Sequence, residues 1–340
     1  MQSSHDLRAL ARKIGFDPDY LEAFEEKLFI RGPRAARRLT NFFVLLLLAT
    51  VIATFGLIAN STATVIGAMI VAPLMGPIMA TAAAVVMGST GRTVRSLALV
   101  AAGIVAVIAL SMVLTWGVPD VAISFTQNGE LASRIEPGLL ALLTALASGA
   151  AGAFITSREE IADSMGGVAI AISLVPPLCV VGIALRMGEW GAAGGAAMLF
   201  ATNFLAILLA GGITFWIGGL GRLAITDERV RVRRNAFFLV ILATVLVAIP
   251  LSITTYTVVN DALEERTAQQ EVGAWLEGQT YQILTVSISG QTAVVTVEGY
   301  GAMPSLQTLA GELATALGRP ISVNLRVVPL QVERSGTTGP

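Results

Sequence analysis

Two apolar stretches each contain two prolines, and the first also a glycine, at positions where a continuous membrane helix is not expected to contain them. The first, VAPLMGPIMA, includes Pro73, Gly76 and Pro77, and the second, SLVPPLCVV, includes Pro176 and Pro177. Proline has no N–H and its ring clashes with the preceding helical turn, so each stretch is predicted to break a helix. Hydrocarbon contains no water to satisfy the freed carbonyls, so backbone groups at a break are available to coordinate a solute or an ion.

The composition indicates a polytopic membrane protein. Hydrophobic residues make up 54% of the 340 residues and charged residues 13%, with a mean hydropathy of +0.75, whereas soluble domains average about 25% charged residues. The net charge of −1 does not favour a nucleic-acid partner. A single histidine, His5, excludes a histidine-rich metal site, and a single cysteine, Cys179, excludes a disulfide within these residues.

Charge-free stretches predict seven transmembrane segments. The stretch between Arg38 and Arg92 contains no Asp, Glu, Lys or Arg and is long enough for two segments, since one spanning helix needs about 20 residues. We divide it at Asn60-Ser61-Thr62. The predicted segments are 41–59, 62–88, 96–118, 137–156, 165–185, 192–217 and 236–258.

The distribution of Lys and Arg predicts the orientation of these segments. Basic residues cluster before segment one and recur between segments two and three, at Arg158, and between segments six and seven. Because such loops remain in the cytoplasm, we expect a multipass protein of the cell (inner) membrane with a cytoplasmic N-terminus and an external, periplasmic C-terminus. The first residues are charged and amphipathic, so no cleavable signal peptide is expected.

Three regions are expected on composition. Residues 1–38 are predicted to form cytoplasmic amphipathic helices, residues 39–259 the transmembrane domain, and residues 260–340 a small external α+β domain. In the last region, two alternating stretches flank Gly290-Gln291, an amphipathic helix follows Ser305, and a third strand ends the pattern. The predicted fold class is therefore an α-helical polytopic membrane protein with an appended α+β domain.

The two broken segments belong to an internal repeat with an offset of 100 residues. Residues 65–88 and 165–188 share seven identities in twenty-four positions. The shared residues are Gly67/Gly167, Ile70/Ile170, Leu74/Leu174, Pro77/Pro177, Ala84/Ala184, Met87/Met187 and Gly88/Gly188. Repeat one is predicted to cover 40–118 and repeat two 137–217. Each contains three segments, so the second copy would be inverted, as in many transporters.

We expect the two breaks to meet and form a pathway for a substrate or an ion. Its predicted residues are Asn60, Ser61, Thr62, Gly67, Pro73, Gly76, Pro77, Gly167, Ser173, Pro176, Pro177 and Asn203. A cytoplasmic mouth is predicted from Arg158, Glu159, Glu160 and Asp163. Each assignment has a simpler alternative: prolines kink ordinary membrane helices, buried amides join helices by hydrogen bonds, and charged loops are often only solvated.

The sequence does not favour an enzyme. It contains no His-Glu-x-x-His motif, and no Asp or Glu lies inside a predicted segment. No cofactor or metal site is predicted, and the absence of intramembrane acids argues against a proton relay. Passive conduction, Na⁺ coupling through carbonyls and hydroxyls, and an anionic or neutral substrate at half-helix N-termini stay open as alternatives.

Both motifs resemble a known family. NSTATVIGAMIVAPLMGPIMA and SREEIADSMGGVAIAISLVPPLCVVGIAL are similar to the signature stretches of bacterial and archaeal multipass hydrophobic membrane proteins classed as a domain of unknown function. The matching positions are Asn60, Ser61, Gly67, Pro73, Gly76, Pro77, Ser157, Arg158, Glu159, Gly167, Pro176 and Pro177. The resemblance covers residues 40–256 and implies a shared membrane core, without a known reaction.

Two functions from different classes are open at this point. The first is a transporter or channel for an unidentified small solute or ion. It would lie in the lipid bilayer as a homo-oligomer, because small residues crowd segment six. The second is a non-conducting, homo-oligomeric scaffold or sensor whose external domain binds a ligand or partner. A pathway needs water at the proline motifs, and a scaffold does not.

Overall fold

A computed structural model describes residues 21–30, 32–33, 35–135, 138–158, 174–222, 227–301 and 303–329. The chain divides into two units, Met1–Ser252 and Ile253–Pro340. The helices that precede this boundary are α1 (Leu21–Leu28), α2 (Ala35–Ile58), α3 (Thr62–Val71), α4 (Met75–Val86), α5 (Thr90–Thr115), α6 (Gly129–Ala132), α7 (Leu139–Thr156), α8 (Val175–Met187) and α9 (Trp190–Ile217). The boundary itself falls within α10 (Asp227–Trp275).

Several helices of the first unit are suited to a bilayer. Among the described residues, α2, α5, α7 and α9 are long and apolar enough to cross a membrane, and the bent pair α3 and α4 raises the number to five if it crosses as one span. The predicted segment 236–258 lies inside α10, and the described part of 165–185 lies inside α8 except for its N-cap, Leu174. These helices are compatible with a multipass membrane protein, while the total of seven segments and their orientation stay predictions.

The predicted break in the first motif is present and has a local cause. Two helices, α3 and α4, replace one continuous helix and meet at 50°. Pro73 has no N–H to donate to the preceding turn, and its own carbonyl accepts from the N–H of Gly76 at 3.3 Å. The predicted division before α3 is also present, because Asn60 adopts a φ of 53° and Ser61 caps the new helix.

Two short helices form the centre of the first unit. Every residue from Pro77 to Val86 in α4 and from Val175 to Ala184 in α8 is buried. Helix α4 packs against α5 and α9, and helix α8 packs against α2, α5 and α9. A helix that is apolar on all sides needs neighbours on all sides, and the longer helices supply them.

After the end of α10, the second unit has the strand, strand, helix, strand order that the sequence predicts. Its strands are β1 (Gln282–Ser289), β2 (Thr292–Gly299) and β3 (Ser322–Pro329), and α11 (Leu306–Leu317) connects the last two. β1 pairs antiparallel with β2, and β2 pairs parallel with β3. Alternate residues of β2 are buried, where they meet α11 and the end of α10 in one apolar cluster.

Leu313→Ala is expected to destabilise the second unit by about 2–5 kcal/mol. The Leu313 side chain is fully buried in the cluster that contains Val295 and Val272, so its truncation leaves a cavity. Pulse proteolysis of the full chain over a urea series measures the loss. Leu306→Ala is the matched control, because Leu306 on the same helix is 42% exposed. Equal losses for the two variants would contradict this description of the core.

Candidate functional site

A cavity of about 1050 Å³ lies beside the first break. Its walls come from α1, the first half of α2, the junction of α3 with α4, and the start of α5. Three predicted pathway residues, Pro73, Gly76 and Pro77, line it. Small-molecule sites span roughly 300–1,000 Å³, so the cavity has room for a ligand much larger than a single ion.

Positive charge dominates the cavity lining. Its described lining residues include no Asp or Glu and four basic residues: Lys27, Arg38, Arg92 and Arg95. The Arg92 guanidinium pairs with Glu25 at 2.6 Å and lies 5.0 Å from the centre of the Phe29 ring. Arg38 pairs with Glu26 at 3.0 Å. Arg95 forms no ion pair with a described carboxylate, so positive charge remains in the wall.

Helix α8 begins at the second proline pair. Pro176 and Pro177 occupy its first turn and are buried, a position where the missing N–H of proline costs little. Other predicted residues of this motif and of the cytoplasmic mouth lie outside the described residues: Gly167, Ser173, Glu159, Glu160 and Asp163. Arg158, the described member of that mouth, places its guanidinium 4.5 Å from the Phe154 ring centre.

Two helix contacts in the first unit involve residues that are related by the 100-residue offset. The Ser111 hydroxyl on α5 donates to the Cys179 carbonyl on α8 at 2.8 Å. A Cβ built on Gly211 of α9 would lie 3.0 Å from the Cε of Met79 on α4. Positions 111 and 211, like positions 79 and 179, are 100 residues apart. The contact of α4 with α9 and the contact of α8 with α5 therefore involve positions that correspond under the 100-residue offset.

The ends of the half-helices also correspond. Gly88 and Gly188 both adopt left-handed conformations, with φ of 64° and 77°. The following N–H groups close the same bond in each copy, from Ser89 to the Ala84 carbonyl at 3.0 Å and from Glu189 to the Ala184 carbonyl at 2.9 Å. A left-handed glycine with such a backbone hydrogen bond is a common way to end a helix. The next helices begin at residues 90 and 190, so the sequence correspondence extends to backbone geometry.

A polar network surrounds the start of α3, away from the cavity lining. The Asn60 side-chain carbonyl accepts from the Glu130 N–H at 3.0 Å, and the Thr62 hydroxyl donates to the Glu130 carboxylate at 2.6 Å. Asn128 donates to the Leu57 carbonyl at 2.8 Å, at the end of α2. The structure thus groups Asn60, Ser61 and Thr62 with the loop after α5 and separates them from Pro73, Gly76 and Pro77.

This network contains a largely buried ion pair. Arg134 Nη1 lies 2.9 Å from Glu130 Oε2, and the two side chains are 14% and 12% exposed. Burial lowers the pKa of the Arg134 guanidinium from its ordinary value, and the charge of Glu130 opposes that change. Sequence reasoning missed the pair, although the i, i+4 spacing of opposite charges in an otherwise weakly charged loop was a usable signal.

The remaining predicted residues do not line the cavity. Asn203 is 5% exposed within α9, and Gly67 is half-buried on α3 with open space beside its Cα. Cys179 is fully buried, with its Sγ 3.9 Å from the Thr50 carbonyl. Conversely, Arg38 and Arg92, which in the sequence bound a charge-free stretch and indicate its orientation, both lie in the cavity wall.

The apolar helices are compatible with one class, a multipass membrane protein. Residues 69–209 match the family described as "Domain of unknown function (DUF389)". A stretch of 177 residues is 32% identical to an uncharacterized protein of Methanocaldococcus jannaschii and covers 52% of this chain and 54% of that protein. The match thus spans about half the length of either protein. Residues 69–209 are thus similar to this domain of unknown function, in agreement with the resemblance seen in the sequence. No solved structure matches the chain.

Proposed function

We propose that this protein is a transporter or channel that moves a small solute or ion along a pathway at its broken helices. The cavity beside Pro73, Gly76 and Pro77 is the observation that carries the proposal, because it brings open space to a helix break. In hydrocarbon, irregular backbone is tolerated where it lines a cavity or is buried in protein. By the positive-inside rule, the arginines of this cavity face the cytoplasm.

The opposite end of α3 supports a pathway closed on one side. There, the loop that contains Asn128 and Glu130 is hydrogen-bonded to the end of α2 and the start of α3. We propose that this network is the external closure and that the cavity is the cytoplasmic opening. Alternating access would then require the network to separate while the cavity narrows.

The reciprocal contacts support two inverted repeats. A two-fold relation makes residue i of one half contact residue j of the other, and the reverse, which is the pattern of Ser111 with Cys179 and Gly211 with Met79. We propose the three-plus-three arrangement, a seventh helix at 236–258, an external C-terminal domain and a homo-oligomer in the cell membrane. In this proposal the protein is not an enzyme and uses no cofactor, and Na⁺ is one of the open coupling ions.

Water access to the break tests the proposal. In a Cys179→Ala background, Gly76→Cys is expected to react with a membrane-impermeant thiol reagent in sealed vesicles, and faster when the reagent is on the cytoplasmic side. Gly76 is exposed in the cavity, and a Cβ there meets no atom within 4 Å, so the substitution fits. The native Cys179, fully buried, is expected to stay unreactive until the chain is denatured.

Gly67→Cys in the same background is the matched control. Gly67 also has open space beside it but does not line the cavity, so we expect slower reaction from the cytoplasmic side. If Gly76→Cys reacts only after denaturation, or no faster than Gly67→Cys, the break is a packed or lipid-facing kink. The rival function, a scaffold or sensor, would then be favoured.

A further inference from the structure

We infer that the cytoplasmic cavity binds an organic anion, a phosphate or carboxylate group attached to a short apolar body. The inference deepens the proposed function by naming the ligand class of its cavity, and it rests on that proposal only for the role of the site. The binding itself depends on the charges and walls of the cavity.

The charge of the cavity wall favours an anionic ligand. The described lining contains four basic side chains and no acidic one, and Glu25 and Glu26 form ion pairs with Arg92 and Arg38. Arg95 is exposed, and no described carboxylate forms an ion pair with it. A guanidinium binds phosphate or carboxylate through two parallel hydrogen bonds. A cation would meet only repulsion from these groups.

The apolar residues of the cavity wall favour a ligand with an apolar part. Phe29, Phe42, Phe43 and Leu99 line the same cavity as the arginines. The volume of about 1050 Å³ is far above that of an inorganic ion, and a site of this kind gains affinity from apolar contact while a few polar groups set orientation. An inorganic anion would therefore satisfy the charge and leave most of the cavity unfilled.

Two kinds of ligand carry this chemistry, a soluble organic anion and an anionic lipid with its head group in the cavity. Arg38, Arg92 and Arg95 lie at the ends of apolar helices, where the head groups of the cytoplasmic leaflet would also lie. The shared feature is an anionic group joined to an alkyl chain. Competition between the two sources identifies which one occupies the cavity.

Hexyl phosphate titrated into the full chain, in nanodiscs of phosphatidylcholine, tests the inference by calorimetry. We expect saturable binding that is weakened by salt, with hexanol and inorganic phosphate each binding much more weakly. Arg95→Gln is expected to weaken hexyl phosphate binding about tenfold, the loss of one charge-assisted contact. Arg37→Gln is the matched control, because exposed Arg37 belongs to the same basic cluster and does not line the cavity.

Nanodiscs that contain phosphatidic acid separate the sources. Loss of hexyl phosphate binding there assigns the site to a lipid head group, and retention assigns it to a soluble anion; either result supports the inference. Absence of binding in phosphatidylcholine, equal binding of hexanol, or equal effects of Arg95→Gln and Arg37→Gln would overturn it. Those results would leave thiol labelling at Gly76 unchanged, so failure of the anion site is distinguishable from failure of the pathway.

Discussion

Gly182→Ala is expected to lower the free energy of unfolding by about 1–3 kcal/mol, the range for overpacking a tight core. A Cβ on Gly182 would lie 2.6 Å from the Ile108 carbonyl oxygen and 3.0 Å from the Met112 nitrogen. Both atoms belong to the backbone of α5, which cannot yield as a side chain can. The substitution therefore forces α8 away from α5, at a contact between the two proposed repeats.

Two other glycines make this prediction specific. Gly194→Ala, on α9 with open space around its Cα, is expected to be neutral or to stabilise by roughly 0.5–1 kcal/mol, because alanine favours a helix. Gly211→Ala is expected to cost less than Gly182→Ala, since its nearest neighbour is the flexible end of Met79. Denaturant unfolding of the purified chain, followed by tryptophan fluorescence, measures all three. Equal stability of the Gly182 and Gly194 variants would refute the close packing of α8 on α5.

Glu130→Gln is expected to cost about 3–5 kcal/mol, the usual penalty for removing one partner of a buried ion pair. The substitution leaves the Arg134 guanidinium without its counter-charge in a position where the side chain is only 14% exposed. It also weakens the acceptor for the Thr62 hydroxyl. The same unfolding measurement detects the loss, and we expect the proposed external closure to loosen with it.

Two further variants distinguish the loss of the ion pair from nonspecific destabilisation. Glu130→Gln combined with Arg134→Gln is expected to recover part of the lost stability, because no uncompensated charge remains. Glu26→Gln breaks the pair with Arg38, but Glu26 is 62% exposed, so its expected cost is about 0–1 kcal/mol. Similar costs for the Glu26 and Glu130 variants would show that the loop pair is not buried as described.

Features with a local physical cause could be predicted from the sequence. Pro73 acts on the turn that precedes it, so the break between α3 and α4 was visible in the residues themselves. Gly88 and Gly188 are shared positions of the repeat, and glycine readily adopts the left-handed conformation that ends a helix there. The strands of the second unit follow from alternating residues around Gly290, a rule that involves only neighbours.

The cavity and the polar network could not be predicted, because both depend on contacts between distant residues. Arg92 meets Glu25 across 67 positions, and Asn60 meets Glu130 across 70. In the sequence, Arg38 and Arg92 indicate only which side of the membrane a loop occupies. Their meeting in one wall depends on how α2 packs against α5, which no periodicity encodes.

Flux through the first break tests the central claim most directly. Proteoliposomes that contain the Gly76→Cys, Cys179→Ala chain are loaded with a mixture of small solutes and salts, and efflux is measured before and after a bulky thiol reagent. We predict that at least one solute or ion leaves faster than from protein-free vesicles, and that modification of Gly76→Cys abolishes the difference while the Cys179→Ala chain is unaffected. Efflux equal to that of protein-free vesicles, or efflux unchanged by the modification, would contradict a pathway at this break.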